Sequence, residues 1–556
     1  MVRSARVVVL ALALAALGSC RLPGAGGGEE AASDAAAAHR PRLLTGLGDH
    51  HHAISTRSEL AQRYFDQGLV LTFGFNHEGA IDAFQEAARL DPDCAMCFWG
   101  VAYAYGPNIN APMGPEAAAK AYAALQEARA RLAHASDRER GYIEALSARY
   151  APDPQPADRK PLDAAYEQAM RALAARHPDD LDAQTLWAEA VMDLSPWNYW
   201  HDDATPREGT LDALRAIEGV LARDPEHPGA NHFLIHLVER FEPERAEAAA
   251  DRLVAIAPDA GHLVHMPSHI YWRVGRYQDA WRVNEAAAAS DYAYLTWCRS
   301  VPFYASAYLT HNLHFLWAAA AAEGRRDEAI TAARNLAAAI PRHRIAAFPP
   351  LEDFLTIPVL TLARFGRFDA VLAEPAPPEE LRYATAMHRY ARGLALVRAG
   401  RGAEARGELD AVAAAAADPA LQALVFVEGP VSRRLETAQH HLAGELAAAE
   451  KRWDAAVSEL EAAVAIQDSL AYTEPPPFYF PVRQALGAVL LEAGRAKEAE
   501  AVYRKDLAQY PKNGWSLFGL AKALRKQGRG ADARWAEQGF RAAWARADVE
   551  LAASRF

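Results

Sequence analysis

Apolar residues recur at spacings of three and four along most of the chain, which is the periodicity of amphipathic helices. Residues 117–133 and 162–175 show this spacing most regularly, and no segment alternates apolar and polar residues for long enough to predict a sheet. Alanine is very frequent and β-branched residues are sparse, a balance that favours helix. The pattern therefore predicts an all-α protein.

A helix-pairing pattern lies within this periodicity. Small Ala80 is followed by Phe84 and Pro92, and Gly68 precedes it by twelve residues. Two helices approach closely only where their side chains are small, an aromatic ring can then fill the gap between them, and a proline ends the second helix. We therefore predict a pair of antiparallel helices here.

The same frame recurs along the chain and resembles the tetratricopeptide repeat. Ala280 lies 34 residues after Ala246, which is the period of that repeat, and Ala499 again has a glycine before it and an aromatic residue and a proline after it. The resemblance covers about 63–110 and 228–545. It implies a tetratricopeptide-type α-solenoid, a right-handed superhelix of antiparallel helix pairs with a concave groove. The other small residues of the frame are Ala329, Ala370, Ala405 and Ala456.

Departures from the regular frame divide the chain into segments. We expect a signal over 1–20, a flexible tether with a histidine-containing segment over 21–55, irregular helical repeats over 56–225, histidine-rich repeats over 226–345 and C-terminal repeats over 346–556. Two insertions, 290–304 and 472–480, interrupt the later repeats. Loops that leave a regular array are often functional, so both are candidates.

Charge and motifs exclude several function classes. The chain has 556 residues and a formal net charge of -12, and its Lys and Arg residues form no long run, so we expect no nucleic-acid partner. The sequence contains no phosphate-binding loop, dinucleotide fingerprint, GxSxG or HExxH motif. The better-marked ATPase, hydrolase and zinc-protease classes are therefore not indicated.

The first twenty residues resemble a bacterial lipoprotein signal. Arg3 and Arg6 precede an apolar run over 7–17, which ends in Leu-Gly-Ser and Cys20. The resemblance implies cleavage before Cys20, lipid on its thiol and an anchor in the bacterial cell envelope, periplasmic or associated with the outer membrane. The alternatives are an ordinary signal peptide cut nearby and a short membrane anchor.

Three cysteines remain if Cys20 carries lipid. Cys94 and Cys97 are close enough in sequence to form a disulfide, which export favours, or to bind metal or act in redox exchange. A single CxxC without a second pair is weak evidence for zinc. The state of Cys298 does not follow from the sequence.

Histidines concentrate in one stretch of the chain. Eight of the 20 lie between positions 227 and 314. An i, i+4 spacing offers two imidazoles on one helix face, although Pro267 marks a helix start within the second such pair. We predict a metal site built from His232, His236, His265, His269 and His311, with His262 and His314 as additional candidate ligands.

The resemblance to tetratricopeptide repeats implies that most of these histidines face the groove. Five fall on groove positions of two adjacent repeats, and His232 and His236 lie one step off that face. Imidazole-rich sites suit zinc, copper, iron or nickel, and the sequence does not choose among them. A single groove histidine is usually a hydrogen-bonding or stacking residue, so the prediction depends on the whole set.

Two loops are candidates for substrate or partner binding. Asn108 and Asn110, in a loop framed by prolines, could grip a ligand or bond locally to the backbone, and we favour local bonds. Glu474, Tyr479 and Arg483 belong to the proline-rich insertion, which could contact a substrate over the histidines or act as a rigid spacer.

Two further stretches carry polar and aromatic residues. His50, His51 and His52 precede the first repeat and could fold back to supply ligands, but we expect a solvated, polar or metal-binding tail. The loop 195–202 contains Trp197 and other aromatic residues, for which ligand stacking and plain packing are equally good interpretations.

Two functions remain at the level of sequence. In the first, an envelope-anchored tetratricopeptide solenoid binds a protein or peptide in its groove, and the histidines hold a transition metal that tunes this contact. In the second, the histidine-lined groove is the active site of a metal-dependent redox or hydrolytic enzyme, since three or more imidazoles with an open coordination position allow chemistry.

Overall fold

A computed structural model of the chain describes residues 41–156, 158–297, 304–426 and 429–556. The predicted lipidation site Cys20 and the unassigned Cys298 lie outside the described residues.

Helices dominate the described residues, which confirms the all-α prediction. Short 3₁₀ turns occur at Leu132–His134, Pro243–Ala246 and Arg342–Arg344, and a π turn at Ala305–Leu309. The α-helices are Glu59–Phe73, His77–Leu90, Ala95–Ala104, Pro115–Ala130, Asp137–Ser147, Lys160–Arg176, Leu181–Asp193, Thr210–Arg223, Pro228–Val238, Glu247–Ile256, Gly261–His265, Pro267–Val274, Tyr277–Trp297, Thr310–Ala322, Arg326–Ala339, Leu351–Phe354, Ile357–Arg364, Phe368–Ala373, Arg382–Arg398, Gly402–Ala416, Pro419–Ala423, Val431–Ala449, Trp453–Asp468, Arg483–Glu492, Ala496–Gln509, Gly514–Lys526 and Gly530–Ala543.

A single small sheet appears among the described residues. Val425–Phe426 and Gly429–Pro430 pair as antiparallel strands, with Val425 opposite Pro430 and Phe426 opposite Gly429. Strands of two residues are too short for the alternation that would have revealed them in the sequence.

The chain divides into two compact units. Among the described residues, the first consists of 41–267 together with 290–297, and the second of 268–289 and 304–556. Each unit is built from consecutive helices that pack as hairpins, as the repeat frame predicts.

The wedge of an aromatic ring between small residues is visible in both units. In the first unit, the ring of Phe84 packs against Gly68 and Gly100, and a Cβ at Gly68 would lie 2.7 Å from that ring. In the second unit, Tyr503 packs in the same way against Gly487 and Gly519. Glycine is required at these positions because any larger side chain would push the paired helices apart.

The turns between paired helices follow the predicted Gly-Arg strings. Gly275, Gly366 and Gly494 have φ values of 73°, 66° and 79°, the left-handed conformation in which glycine ends a helix without strain. Helices also end just before Pro92 and Pro511, at Leu90 and Gln509, as predicted from the repeat frame.

The two insertions differ in structure. The first is helical up to Trp297, where Tyr277–Trp297 extends past the regular repeat length. The second forms an irregular loop between Trp453–Asp468 and Arg483–Glu492. Among the described residues, no helix combines the length and the apolar character needed to cross a membrane.

Candidate metal centre

The Pro228–Val238 helix places two histidines of the first unit one turn apart. Proline occupies its first turn, and the His227 side chain caps it by accepting a hydrogen bond from the Ala230 amide at 3.2 Å. Every residue of this helix is buried, so it is a core helix and His232 and His236 point into the protein.

A backbone carbonyl orients the His232 ring. Nδ1 of His232 lies 2.6 Å from the carbonyl oxygen of Phe73, and a carbonyl can only accept, so Nδ1 carries a proton. Nε2 of His232 lies 3.0 Å from Nε2 of His236. In the neutral ring, the Nε2 lone pair of His232 is therefore directed at the neighbouring imidazole.

His262 supplies a third imidazole from the Gly261–His265 helix. Its ring centre lies 5.0 Å from that of His232, and the candidate ligand atoms of His232, His236 and His262 all lie within 4.8 Å of one another. Nitrogens bound to one tetrahedral zinc ion stand about 3.3 Å apart, so small side-chain rotations bring the three rings to coordinating distance. We call His232, His236 and His262 the imidazole trio.

Two aromatic rings enclose the imidazole trio. Phe75 packs on all three histidines, with ring centres 4.7 Å from His232, 6.0 Å from His236 and 5.4 Å from His262. Trp197 packs edge-on against His236 at 4.9 Å and is 40% exposed, so it separates that side of the trio from solvent. Both rings belong to residues with positive φ, 56° for Phe75 and 62° for Trp197. Non-glycine residues held in this conformation cluster at functional sites.

Trp197 links its own loop to the loop that contains Asn108 and Asn110. Trp197 Nε1 donates a hydrogen bond to the Asn110 side-chain oxygen at 3.0 Å. Asn108 accepts bonds from the backbone amides of Asn110 and Ala111 at 2.8 and 3.0 Å, the local pattern that we favoured. Asn110 thus positions the ring that covers His236.

The other predicted ligands of this stretch belong to both compact units. His265 is buried in the first unit and stacks on His262, with ring centres 5.8 Å apart. The Gly261–His265 helix ends before Pro267, where a new helix begins, so His265 and His269 are not an i, i+4 pair of one helix.

A second group forms within the second unit. Nε2 of His269 lies 3.5 Å from Nε2 of His311, and Nδ1 of His269 lies 3.4 Å from a carboxylate oxygen of Glu474. Arg273 lies 3.7 Å from the other oxygen of that carboxylate, and the Tyr472 hydroxyl donates to it. The insertion therefore brings one of its predicted residues to one predicted histidine, His269.

The remaining candidates of the second unit make other contacts. The His314 ring stacks on the Trp317 ring, with ring centres 5.3 Å apart, and burial lowers the pKa of the His314 imidazole to about 4. Arg483 pairs with Asp468 and not with Glu474. The Tyr479 hydroxyl bonds to that of Tyr390 at 3.0 Å.

The segment before the first repeat is folded, so the expected solvated tail is wrong for two of its three histidines. His50 and His52 are buried against Asp182, at 3.0 Å for His50 Nε2 and 2.7 Å for His52 Nδ1, whereas His51 is 57% exposed. His227 Nε2 contacts the same carboxylate at 3.2 Å. Because His227 Nδ1 accepts from Ala230, the Nε2 that faces Asp182 carries the proton, which favours a hydrogen-bonded ion cluster over a metal site. No pattern in the sequence marked Asp182 as a partner of these histidines.

The two neighbouring cysteines also have a defined state. Cys94 and Cys97 are joined by a disulfide at the start of the Ala95–Ala104 helix. In this form their sulfurs are not available as metal ligands.

Comparison with known proteins supports the repeat assignment. Residues 490–534 match the family described as Tetratricopeptide repeat, and this part of the chain is a tetratricopeptide repeat as the sequence frame predicted. No curated protein sequence matches the chain.

Several solved helical-repeat structures align loosely with most of the chain. The human IFIT1 dimer with m7Gppp-AAAA is 11% identical, covers 88% of this chain and 91% of its own, and has a TM-score of 0.32. Yeast Tom70 has the same identity and coverage at a TM-score of 0.30. The P58(IPK) TPR domain is 12% identical, covers 84% of this chain and 98% of its own, and has a TM-score of 0.23. Nothing about ligands or partners of this chain follows from similarities at this level.

Proposed function

We propose that the chain is a tetratricopeptide-type scaffold whose first unit holds a transition metal ion on the imidazole trio, His232, His236 and His262. Zinc, copper, iron and nickel fit this all-nitrogen donor set. The observation that carries the proposal is the 3.0 Å approach of His232 Nε2 to His236 Nε2, with the His232 tautomer set by the Phe73 carbonyl.

The physical argument is one of lone pairs. A single cation can accept a lone pair from each of these three buried imidazoles, whose candidate ligand atoms all lie within 4.8 Å of one another. The Nδ1–H to carbonyl bond of His232 is the contact that commonly orients a metal-bound histidine and raises its basicity.

The scaffold role extends the proposal to a protein or peptide partner. Arrays of paired helices present extended binding surfaces, which supports partner binding by this chain. We further propose that the protein is anchored in the bacterial envelope through Cys20, and this rests on the lipoprotein-like signal in the sequence alone.

A metal-dependent enzyme is the second candidate function. The number of imidazoles at one place and the position of the Trp197 ring favour this function. Three protein ligands on a tetrahedral ion leave one position for water or substrate. The half-exposed Trp197 ring is the barrier between His236 and solvent, so a small movement of that ring would admit a small substrate.

The metal proposal is tested by metal analysis of the untagged full chain. After removal of metal by a chelator and reloading with zinc, we expect stoichiometric zinc that is lost in a His232→Ala, His236→Ala variant. His388→Gln is the matched control, since His388 is buried and bonds a backbone carbonyl at 3.1 Å without a second imidazole. Equal zinc content in the wild type and the double variant would rule out the imidazole trio as the site.

Cobalt substitution separates the two candidate functions. The visible absorption of cobalt(II) reports its coordination, so azide added to the cobalt-loaded protein changes the spectrum if a coordination position is open. We expect this change for an enzyme. A spectrum unaffected by azide would assign the metal a structural role in the scaffold.

A further inference from the structure

A cavity of about 50 Å³ lies within the second unit, apart from the histidines. Tryptophan and tyrosine rings line much of it, including Trp272, Trp317, Tyr479 and Trp515, and the Phe478–Phe480 part of the proline-rich insertion closes one side. The volume exceeds what a single water needs by a few-fold, which is room for a molecule of about five heavy atoms.

Among the described residues that line this cavity, one carries a positive charge. Arg364 ends the Ile357–Arg364 helix, is only 8% exposed, and lies with its guanidinium 3.5 Å from the Trp515 ring centre and 4.8 Å from that of Phe480. Stacking on two rings fixes the plane of the guanidinium and leaves its edge for hydrogen bonding.

Among the described residues, Arg364 makes no ion pair. In the described part of the chain its hydrogen-bond partner is the neutral side-chain oxygen of Gln484, and no carboxylate lies within ion-pair distance. Asp506 acts on Arg364 through space, and the Gln484 amide nitrogen lies 3.3 Å from the Asp506 carboxylate. Burial lowers the pKa of Arg364 to about 9 and outweighs the opposing effect of Tyr479, Asp506 and Tyr390.

The walls of the cavity are mainly apolar. Trp317 donates its ring N–H to Thr361 at 2.6 Å, and Trp515 donates its own to the Ala321 carbonyl at 3.0 Å. Both rings therefore turn their polar edges away from the cavity. An occupant meets one cationic group, apolar rings and the side-chain amides of Gln484 and Asn513.

We propose that this cavity, the Arg364 pocket, binds a short-chain aliphatic monocarboxylate. Its carboxylate would accept hydrogen bonds from the free edge of the guanidinium, and its alkyl part would pack on Trp272 and Trp317. Arginine binds a carboxylate through two parallel hydrogen bonds, which are among the strongest in proteins. This inference is independent of the proposed metal centre.

The test titrates the full-length protein with propionate, using calorimetry and tryptophan fluorescence, because three tryptophans line the cavity. We expect saturable binding of propionate and no binding of propylamine, which has a similar size and the opposite charge. Chloride at equal concentration should not displace propionate, because chloride cannot pack on the rings. Failure of propionate to bind, or equal displacement by chloride, would overturn the proposal.

Variants locate the site. Arg364→Met should weaken propionate binding by about tenfold or more, and Arg364→Lys, which keeps the charge without the paired hydrogen bonds, should weaken it less. The matched control is Arg325→Met, since Arg325 is also buried and stacks on Trp281 at 4.3 Å but pairs with Glu323 and Glu328. Unchanged affinity in a folded Arg364→Met protein, or equal loss in Arg325→Met, would contradict the assignment.

Discussion

At Asp182, one buried carboxylate accepts hydrogen bonds from three imidazoles that come from distant parts of the chain. Burial opposes ionisation of this carboxyl, yet the charge on His50 and the three hydrogen bonds outweigh burial and hold the pKa of Asp182 well below its usual range. For His50, burial favours the neutral ring, and the Asp182 carboxylate more than offsets this and raises the pKa of the imidazole. The cluster thereby fastens the segment before the first repeat to the Leu181–Asp193 helix.

We predict that Asp182→Asn lowers the free energy of unfolding by about 3–5 kcal/mol near pH 6, because it leaves a protonated His50 buried without its counter-ion. The raised pKa of His50 contributes stability that is complete below about pH 6.5 and is lost as pH rises through the folded value. The depressed pKa of Asp182 contributes stability that is present above about pH 3.9 and is lost as pH falls through its folded value. The difference between wild type and variant should therefore be larger at pH 6 than at pH 9.

Urea unfolding at the two pH values measures this difference. Asp179→Asn is the control, because Asp179 is 93% exposed in its pair with Arg223 and should cost about 1 kcal/mol or less. An Asp182→Asn effect that is the same at both pH values would show that the cluster acts through neutral hydrogen bonds alone.

Paired helices in this chain depend on a single ring between two glycines. Phe84 is completely buried, and both Gly68 and Gly100 are close enough to its ring that a Cβ on either would collide with it. The wedge connects three successive helices, Glu59–Phe73, His77–Leu90 and Ala95–Ala104. Tyr503 occupies the same place in the second unit and adds a hydroxyl that bonds to Ser554 at 2.7 Å.

Phe84→Ala should destabilise the first unit by about 3–5 kcal/mol, because the glycines on either side cannot refill the space that the ring leaves. Thermal unfolding followed by circular dichroism measures this loss. Trp535→Ala removes a larger ring from a residue that is 62% exposed, and its effect should stay within about 0.5 kcal/mol. Similar losses for both variants would contradict the wedge interpretation.

Over the whole molecule, the candidate histidines are distributed between two compact units. The imidazole trio lies in the first unit, and the pair His269 and His311 lies with Glu474 in the second. Metal that binds only the folded form of one unit stabilises that unit and not the other. Unfolding of each unit can therefore report where metal is held.

Zinc at a hundred times its dissociation constant should stabilise the first unit by about 2.7 kcal/mol. Differential scanning calorimetry with and without zinc measures the shift of each unfolding transition. In the His232→Ala, His236→Ala variant we expect the shift of the first unit to disappear. A shift that persists there unchanged would place the stabilising metal on other residues.

Much of the fold could be predicted because its signals are local. The spacing of Gly68, Ala80, Phe84 and Pro92 encodes one helix hairpin. The end of the helix at Gly366 is also a local signal, because it depends on the backbone φ of that glycine alone. The pairing of His232 with His236 was predictable for the same reason, because four residues make one helical turn.

The rest of the candidate site could not be predicted, because it depends on contacts between residues far apart in sequence. Pro267 separates His265 from His269 into different helices, and His262, an additional candidate in the sequence, lies beside His232 and His236. Asn110 reaches Trp197 across 87 positions, and His52 reaches Asp182 across 130.

The sequence by itself determined the helical repeat, the positions of its turns and the concentration of imidazoles in one region, since each of these follows from spacing along the chain. Only the tertiary structure decided which imidazoles meet, which rings enclose them and that Arg364 faces a cavity without an ion-pair partner in the described part of the chain. The physical reason is that burial and hydrogen-bond partners are properties of the packed chain, and the packing brings together side chains that have no regular spacing in the sequence.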